Sequence, residues 1–201
     1  MVTLRFSQAT GSNPQQVVKS THGQLSSQPR SGRNVFLHRE GDNVTVNLRN
    51  RKHTLLVDHI DAFRRIVRDV KAELPFTIDA MAVLPDHWHA MWTIPPDDFG
   101  YARRIRLIKA LFTRHLLREG IVIDKDHRGE YKLWQRRFWE HTIRDDRDFE
   151  THVNYVHINP VKHGHVARAT DWPHSTIHRY VGRGLLVPDW ACAPEEGDFG
   201  E

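Results

Sequence analysis

The stretch Leu84-Pro85-Asp86-His87-Trp88-His89-Ala90-Met91-Trp92-Thr93-Ile94 reads as a turn feeding a β-strand. Pro85 and Asp86 are turn residues, and Pro95 with Pro96 closes the strand because proline cannot donate to a ladder. Alternate side chains of a strand share a face. Trp88, Ala90, Trp92 and Ile94 therefore point one way, and His87, His89, Met91 and Thr93 the other. The first set is apolar and belongs against helices. The second carries two imidazoles side by side onto the opposite face, where a pair at i and i+2 can bind one divalent cation. An isolated pair of this kind is more often hydrogen-bonded or solvated, so the rest of the chain has to supply the further ligands.

Outward from this strand the pattern alternates between periods of two and 3.6. Val44, Val46 and Leu48 alternate with polar residues, as in a short strand. Leu56, Ile60, Phe63, Val67, Val70 and Leu74 follow at helical spacing, with Arg64, Arg65, Arg68 and Lys71 between them, and Pro75 stops the helix. Phe76 to Leu84 is a second strand, and His87 to about Ile94 the third. Tyr101, Ile105, Ile108, Phe112 and Leu116 mark a second helix ending near Gly120. Ile121 to Ile123 allows a short strand inside a loop, and Phe138 to Ile143 is the fourth strand. Asp145 and Asp146 are N-cap candidates for a third helix that ends around Pro160. The order β-α-β-β-α-β-α begins with a split βαβ unit. The expected fold is α+β: a ferredoxin-like antiparallel sheet with one added C-terminal helix. One sheet face lies under two helices, and the other is the natural place for a site.

The third helix carries two stripes. Phe149, Val153 and Val156 are apolar; His152, Tyr155 and Asn159 form a polar stripe beside them. Tyr155 and Asn159, at i and i+4, are neighbours. A helix packed over the open sheet face would bring a phenol and an amide oxygen to the histidines. Each residue also has an ordinary reading, Tyr155 as a half-buried core residue and Asn159 as a helix-terminal cap. Their co-occurrence with the histidine pair carries the functional one. A phenol is a poor nucleophile at neutral pH, since its pKa is about 10, and a nearby cation favours the phenolate. Attack by that oxygen on a phosphodiester would keep the bond energy in a phosphotyrosine, which permits rejoining rather than hydrolysis.

The 201 residues suffice for one domain with tails. Lys and Arg outnumber Asp and Glu by 29 to 25, a weak pointer to a polyanionic partner. The single cysteine, Cys192, excludes an internal disulfide framework and a multi-cysteine zinc site, and fits a reducing cytoplasm. No run approaches the length of a membrane span, so no membrane partner is expected. Residues 7–33 are polar and aperiodic, which divides the chain into an arm over 1–33, a catalytic domain over 34–164 and a tail over 165–201 with a short helix near His174 to Val181.

Several separated motifs together resemble a known family. Leu84-Pro-Asp-His87-Trp-His89 resembles the His-hydrophobic-His motif of single-tyrosine transposases. Asn154-Tyr155-Val-His-Ile-Asn159-Pro-Val-Lys-His-Gly164 resembles the tyrosine helix of the REP-associated tyrosine transposases, which are IS200-like. Leu133-Trp-Gln-Arg-Arg-Phe-Trp-Glu-His-Thr-Ile-Arg144 and Asp171-Trp-Pro-His-Ser-Thr-Ile-His-Arg-Tyr180 extend the likeness over about residues 34 to 190. The resemblance implies His87, His89 and Asn159 as ligands of Mg2+ or Mn2+, and Tyr155 as the nucleophile that forms a 5′-phosphotyrosine. It implies a substrate of single-stranded DNA beside a small hairpin, as in repetitive extragenic palindromes, handled by a monomer or homodimer in the cytoplasm at the nucleoid. Arg103, Arg104, Lys109, Arg136, Arg137, Arg144 and Lys162 are candidate phosphate contacts, and Trp134, Trp139 and Trp172 candidate base stackers. Two other readings remain: a catalytically idle single-stranded nucleic-acid-binding module on the same fold, and a metal-dependent hydrolase of small phosphate esters.

Overall fold

The computed structural model of the chain describes residues 41–95, 98 and 100–191. The expected arm over 1–33, residues 34–40 and Cys192 lie outside them. Strands β1 (Asp42–Asn47), β2 (Thr77–Val83), β3 (His87–Thr93) and β4 (Trp139–Thr142) form one sheet in the order β2-β3-β1-β4. Every neighbouring pair is antiparallel. Helices α1 (Leu55–Asp58) and α2 (Ile60–Glu73) connect β1 to β2, and α3 (Tyr101–Arg118) connects β3 to β4. This is the ferredoxin-like split βαβ sheet. Helix α4 (Asp146–Lys162) follows β4, and α5 (Ile177–Gly182) comes near the end of the described chain.

One face of the sheet holds the main core. Val44, Val46, Trp88, Ala90 and Trp92 pack there against Phe63, Val67, Ile105, Ile108 and Phe112 of α2 and α3. Trp88 and Trp92 stack with ring centroids 5.4 Å apart, and both are buried. Burial of each such side chain contributes on the order of 3 kcal/mol. The other face is covered by α4, whose Phe149, Val153 and Val156 pack onto Ala80, Ala82 and Met91. The alanines of β2 let the helix come close. They face α4 because the β2–β3 register shifts between Ile78 and Ala80, leaving Asp79 as an extra residue.

Three boundaries differ from the sequence reading. The first helix is two, broken at His59, and the backbone N–H of Leu56 in α1 is tied to Pro85 O at 3.2 Å. Ile121 and Ile123 pack against the core while Val122 is exposed, which mimics a strand, but no described strand pairs with them. Helix α4 does not stop at Pro160. Asp145 caps its start, accepting from Asp148 N at 2.8 Å. Its end is a Schellman motif: His165 N donates to Pro160 O and Gly164 N to Val161 O, each at 2.9 Å, with Gly164 at φ +70°. Proline removes one helical donor, and the burial of Pro160 and Val161 offsets that loss.

Residues 165–191 return to the sheet. Val83 N donates to His174 O at 2.9 Å, Thr176 N to Met81 O at 2.8 Å, and Trp172 Nε1 to Val83 O at 2.9 Å. This segment runs along the free edge of β2 and satisfies backbone groups that would otherwise template pairing with another chain.

His157 of α4 is fully buried, with Nε2 2.9 Å from Thr176 Oγ1. Burial, with the charges of Arg179 and His178, pushes its pKa down to about 3. The unfolded chain therefore binds a proton at mildly acidic pH that the folded chain refuses. Stability from this group is complete above the ordinary histidine pKa and is lost as the pH falls toward 3. Urea unfolding at pH 7 and pH 5 should show about 2 kcal/mol of loss from this side chain. His157→Leu should remove that share of the slope; an unchanged slope in the variant would assign the loss to other groups.

Candidate active site and metal centre

Strand parity places His87 and His89 beneath α4, where they are 2% and 3% exposed. Their rings meet edge to face with centroids 4.9 Å apart. His87 Nδ1 lies 2.7 Å from Asp86 Oδ1, and His89 Nδ1 lies 2.8 Å from Thr45 Oγ1. Asp86 is itself paired with the Arg51 guanidinium, which also donates to Asn47 Oδ1 at 2.6 Å. Fixing each Nδ1 sets the ring orientation and leaves Nε2 as the donor for a ligand. His89 Nε2 is buried with no hydrogen-bond partner. An orphaned imidazole nitrogen beside a second imidazole is a fitting place for a cation, because a buried polar atom without a partner is otherwise destabilising.

The electrostatics agree. Burial pushes the His87 pKa down to about 4, against a partial upward pull from Asp86. Burial likewise holds His89 well below the ordinary range, with the neighbouring His87 and His163 adding to the effect. Both rings are therefore neutral at pH 7, the state in which imidazole binds metal. Burial alone would raise the Asp86 carboxyl, but the hydrogen bond from His87 and the Arg51 charge outweigh it and hold the group ionised.

Helix α4 brings the remaining groups. The Tyr155 ring meets His89 edge to face, centroids 5.5 Å apart, and Lys162 Nζ lies 5.6 Å from the Tyr155 ring centroid. Asn159 is buried; its Nδ2 donates to Tyr155 O at 2.6 Å, and its Oδ1 has no partner. Because the helix continues past Pro160, His163 also arrives, with its ring 4.8 Å from that of His87. One ligand atom from each of His87, His89 and His163 falls within a common 4.8 Å. In the sequence His163 stood out only as part of the tyrosine-helix motif, and Thr45, Arg51 and Asp86 did not stand out as site residues. The signal for Asp86 was its position directly before His87, since metal-binding histidines commonly lean on a carboxylate.

The basic candidates divide. Arg103, Arg136, Arg137 and Arg144 are exposed, and Lys162 stands over Tyr155. Arg104 is not a phosphate contact: it is 1% exposed, pairs with Asp98, and donates to Leu74 O at 3.2 Å and Pro75 O at 2.8 Å. Its aliphatic stem lies in the core, and its head closes the end of α2. Lys109 Nζ donates to Gln135 O at 2.9 Å and lies near the Trp134 ring, so it too is engaged within the fold. Trp134 is buried and donates to Thr113 Oγ1 at 3.0 Å, whereas Trp139 is exposed.

Two substitutions separate these roles. Asp86→Asn should weaken divalent-cation affinity by about 10- to 100-fold in calorimetry, since it loosens His87. An unchanged affinity would detach Asp86 from the site. Arg104→Met should cost about 3 kcal/mol in denaturant unfolding while the folded variant binds single-stranded DNA as the parent does. A selective loss of DNA affinity would return Arg104 to the interface.

Known proteins are similar to this chain in sequence and fold. The family described as Transposase IS200 like matches residues 43–159, which span β1 through Asn159. The chain is 46% identical over 157 residues to the REP-associated tyrosine transposase of Escherichia coli (strain K12), covering 78% of this chain and 88% of that one. A solved structure of a REP-associated tyrosine transposase bound to a REP hairpin aligns with a TM-score of 0.69 at 40% identity, covering 88% of this chain and 98% of that one. With the histidine pair and the tyrosine helix folded onto one sheet face, this chain belongs to the REP-associated tyrosine transposases of the IS200-like family, enzymes that cut DNA strands and transfer them.

Proposed function

We propose that the chain cuts and rejoins single-stranded DNA beside hairpin-forming REP-like elements, with Tyr155 as nucleophile. The observation that carries this reading is the placement of the Tyr155 ring against His89, whose Nε2 is buried without a partner. His87 and His89 would hold a Mg2+ or Mn2+ ion, completed from the end of α4 by Asn159 Oδ1 and His163. When bound, the cation polarises the phosphodiester and favours the phenolate.

The protein groups do the rest. Tyr155 loses its phenolic proton, its oxygen bonds to phosphorus, and the bond from phosphorus to the 3′ oxygen breaks. That oxygen takes up a proton and leaves as a hydroxyl, while the 5′ phosphate stays on the tyrosine. Attack by another 3′-hydroxyl reverses the step and rejoins the strand. Lys162, whose ammonium stands over the Tyr155 ring, is suited to a phosphate contact beside the nucleophile. The hairpin is the ligand named for the solved relative, and the exposed Arg103, Arg136, Arg137 and Arg144 are suited to phosphate contacts here.

A cleavage assay on hairpins flanking the gene tests the reading. Magnesium should give a covalent protein–DNA adduct, chelation should abolish it, and Tyr155→Phe should remove it while hairpin binding stays within a few fold. An adduct from Tyr155→Phe would overturn the assignment, and hairpin binding with no cleavage under any metal would favour an idle binding module. Asn159→Ala and His163→Ala, compared by calorimetry, should each weaken the cation; a variant that binds it as the parent does removes that residue from the ligand set.

A further inference from the structure

Beyond the histidines, the edge of the sheet carries a stack of rings that this reaction does not use. Trp139 of β4 is paired in register with Thr45, and Thr45 with His89, so the three side chains share a row on one face. Strands lie about 4.8 Å apart, which puts the Trp139 backbone roughly 10 Å from that of His89. The residue is 52% exposed. Its indole is nearly parallel to the His141 ring, at 6° and 6.0 Å, and to the His152 ring, at 21° and 6.5 Å. Those two imidazoles stack on each other at 4.4 Å.

Asp148 locks the stack. His141 Nε2 is 2.9 Å from its Oδ2, and His152 Nδ1 is 2.9 Å from its Oδ1. The same carboxylate accepts from Arg144 N at 3.0 Å. Two ring nitrogens are thus engaged by the one carboxylate, which fixes both imidazoles beside the indole. His152 also stands one turn before Tyr155 on α4, so the stack and the nucleophile are held by the same helix.

We propose that Trp139, backed by His141 and His152, is the stacking subsite for one unpaired nucleobase next to the phosphate that Tyr155 attacks. The proposal rests on the reading of Tyr155 and the histidine pair given above. The chemistry fits an unpaired base: every base has a π face, and a preset aromatic plane binds it without regard to sequence. The side chain is a positioning residue. Holding the flanking base fixes the strand relative to the phenol, where a small displacement costs rate.

The test uses the full chain and a hairpin-forming oligonucleotide with a single-stranded flank, taken from the DNA beside the gene. Binding is measured by anisotropy in the Tyr155→Phe background, and adduct formation under single turnover with Tyr155 intact. Abasic sites are placed one at a time along the flank. Trp139→Ala should weaken binding about tenfold, and Trp139→Phe should restore most of it. One abasic position should cost the parent the same factor and cost Trp139→Ala nothing further. Each comparison sets two substrates against one folded variant, so a general loss of stability does not reproduce the pattern. Equal affinities for parent and Trp139→Ala, or abasic penalties that persist in full in the variant, would overturn the subsite. Absence of adduct from the unmodified chain would instead sink the nucleophile reading, while the binding cycle still decides the subsite.

Discussion

Everything at the site depends on the packing of α4 across one face of the sheet. That contact buries two histidines, which without it would be solvated residues of an ordinary strand. Burial keeps both imidazoles neutral and leaves His89 Nε2 without a partner. The contact also sets the tyrosine against His89. The helix can lie this close because β2 presents Ala80 and Ala82 beneath it. A larger residue at either position would lift the helix and separate the phenol from the histidines.

Around this contact the protein builds supports that do not touch the reaction. Thr45 orients His89 from β1, while Asp86 orients His87 from the turn, backed by Arg51 in the loop after β1. The strap over the free edge of β2 holds the strand that carries the alanines. Helix α4 runs past Pro160 and is closed by the Schellman turn at Gly164, and that extra length delivers Lys162 and His163. Each support is a local feature with a distant consequence for the site.

The basic residues show how charge separates by location. Arg104 and Lys109 lie on the same helix as exposed cations, yet both are engaged by the fold. Arg136, Arg137 and Arg144 flank β4 and stay exposed, near the aromatic stack at that edge. The outer edge of the sheet therefore combines exposed positive charge with a flat ring, the two features that suit an unpaired strand.

From the sequence alone, the alternation in Leu84 to Ile94 determined which face the histidines would occupy, because strand parity is a local property of the backbone. The spacing of apolar residues likewise determined the order of strands and helices, and the motif spacing the family. Asp145 as the cap of α4 was legible for the same reason. Tertiary structure decided what lies through space. His163 entered the histidine cluster because α4 continues past Pro160 and ends only at the Gly164 turn. Arg104 left the set of surface cations because two carbonyls at the end of α2 needed a donor. Thr45 joined the site because antiparallel pairing places β1 beside β3, and Arg51 because the loop after β1 meets the turn at Asp86, contacts between residues some forty positions apart that no local pattern specifies.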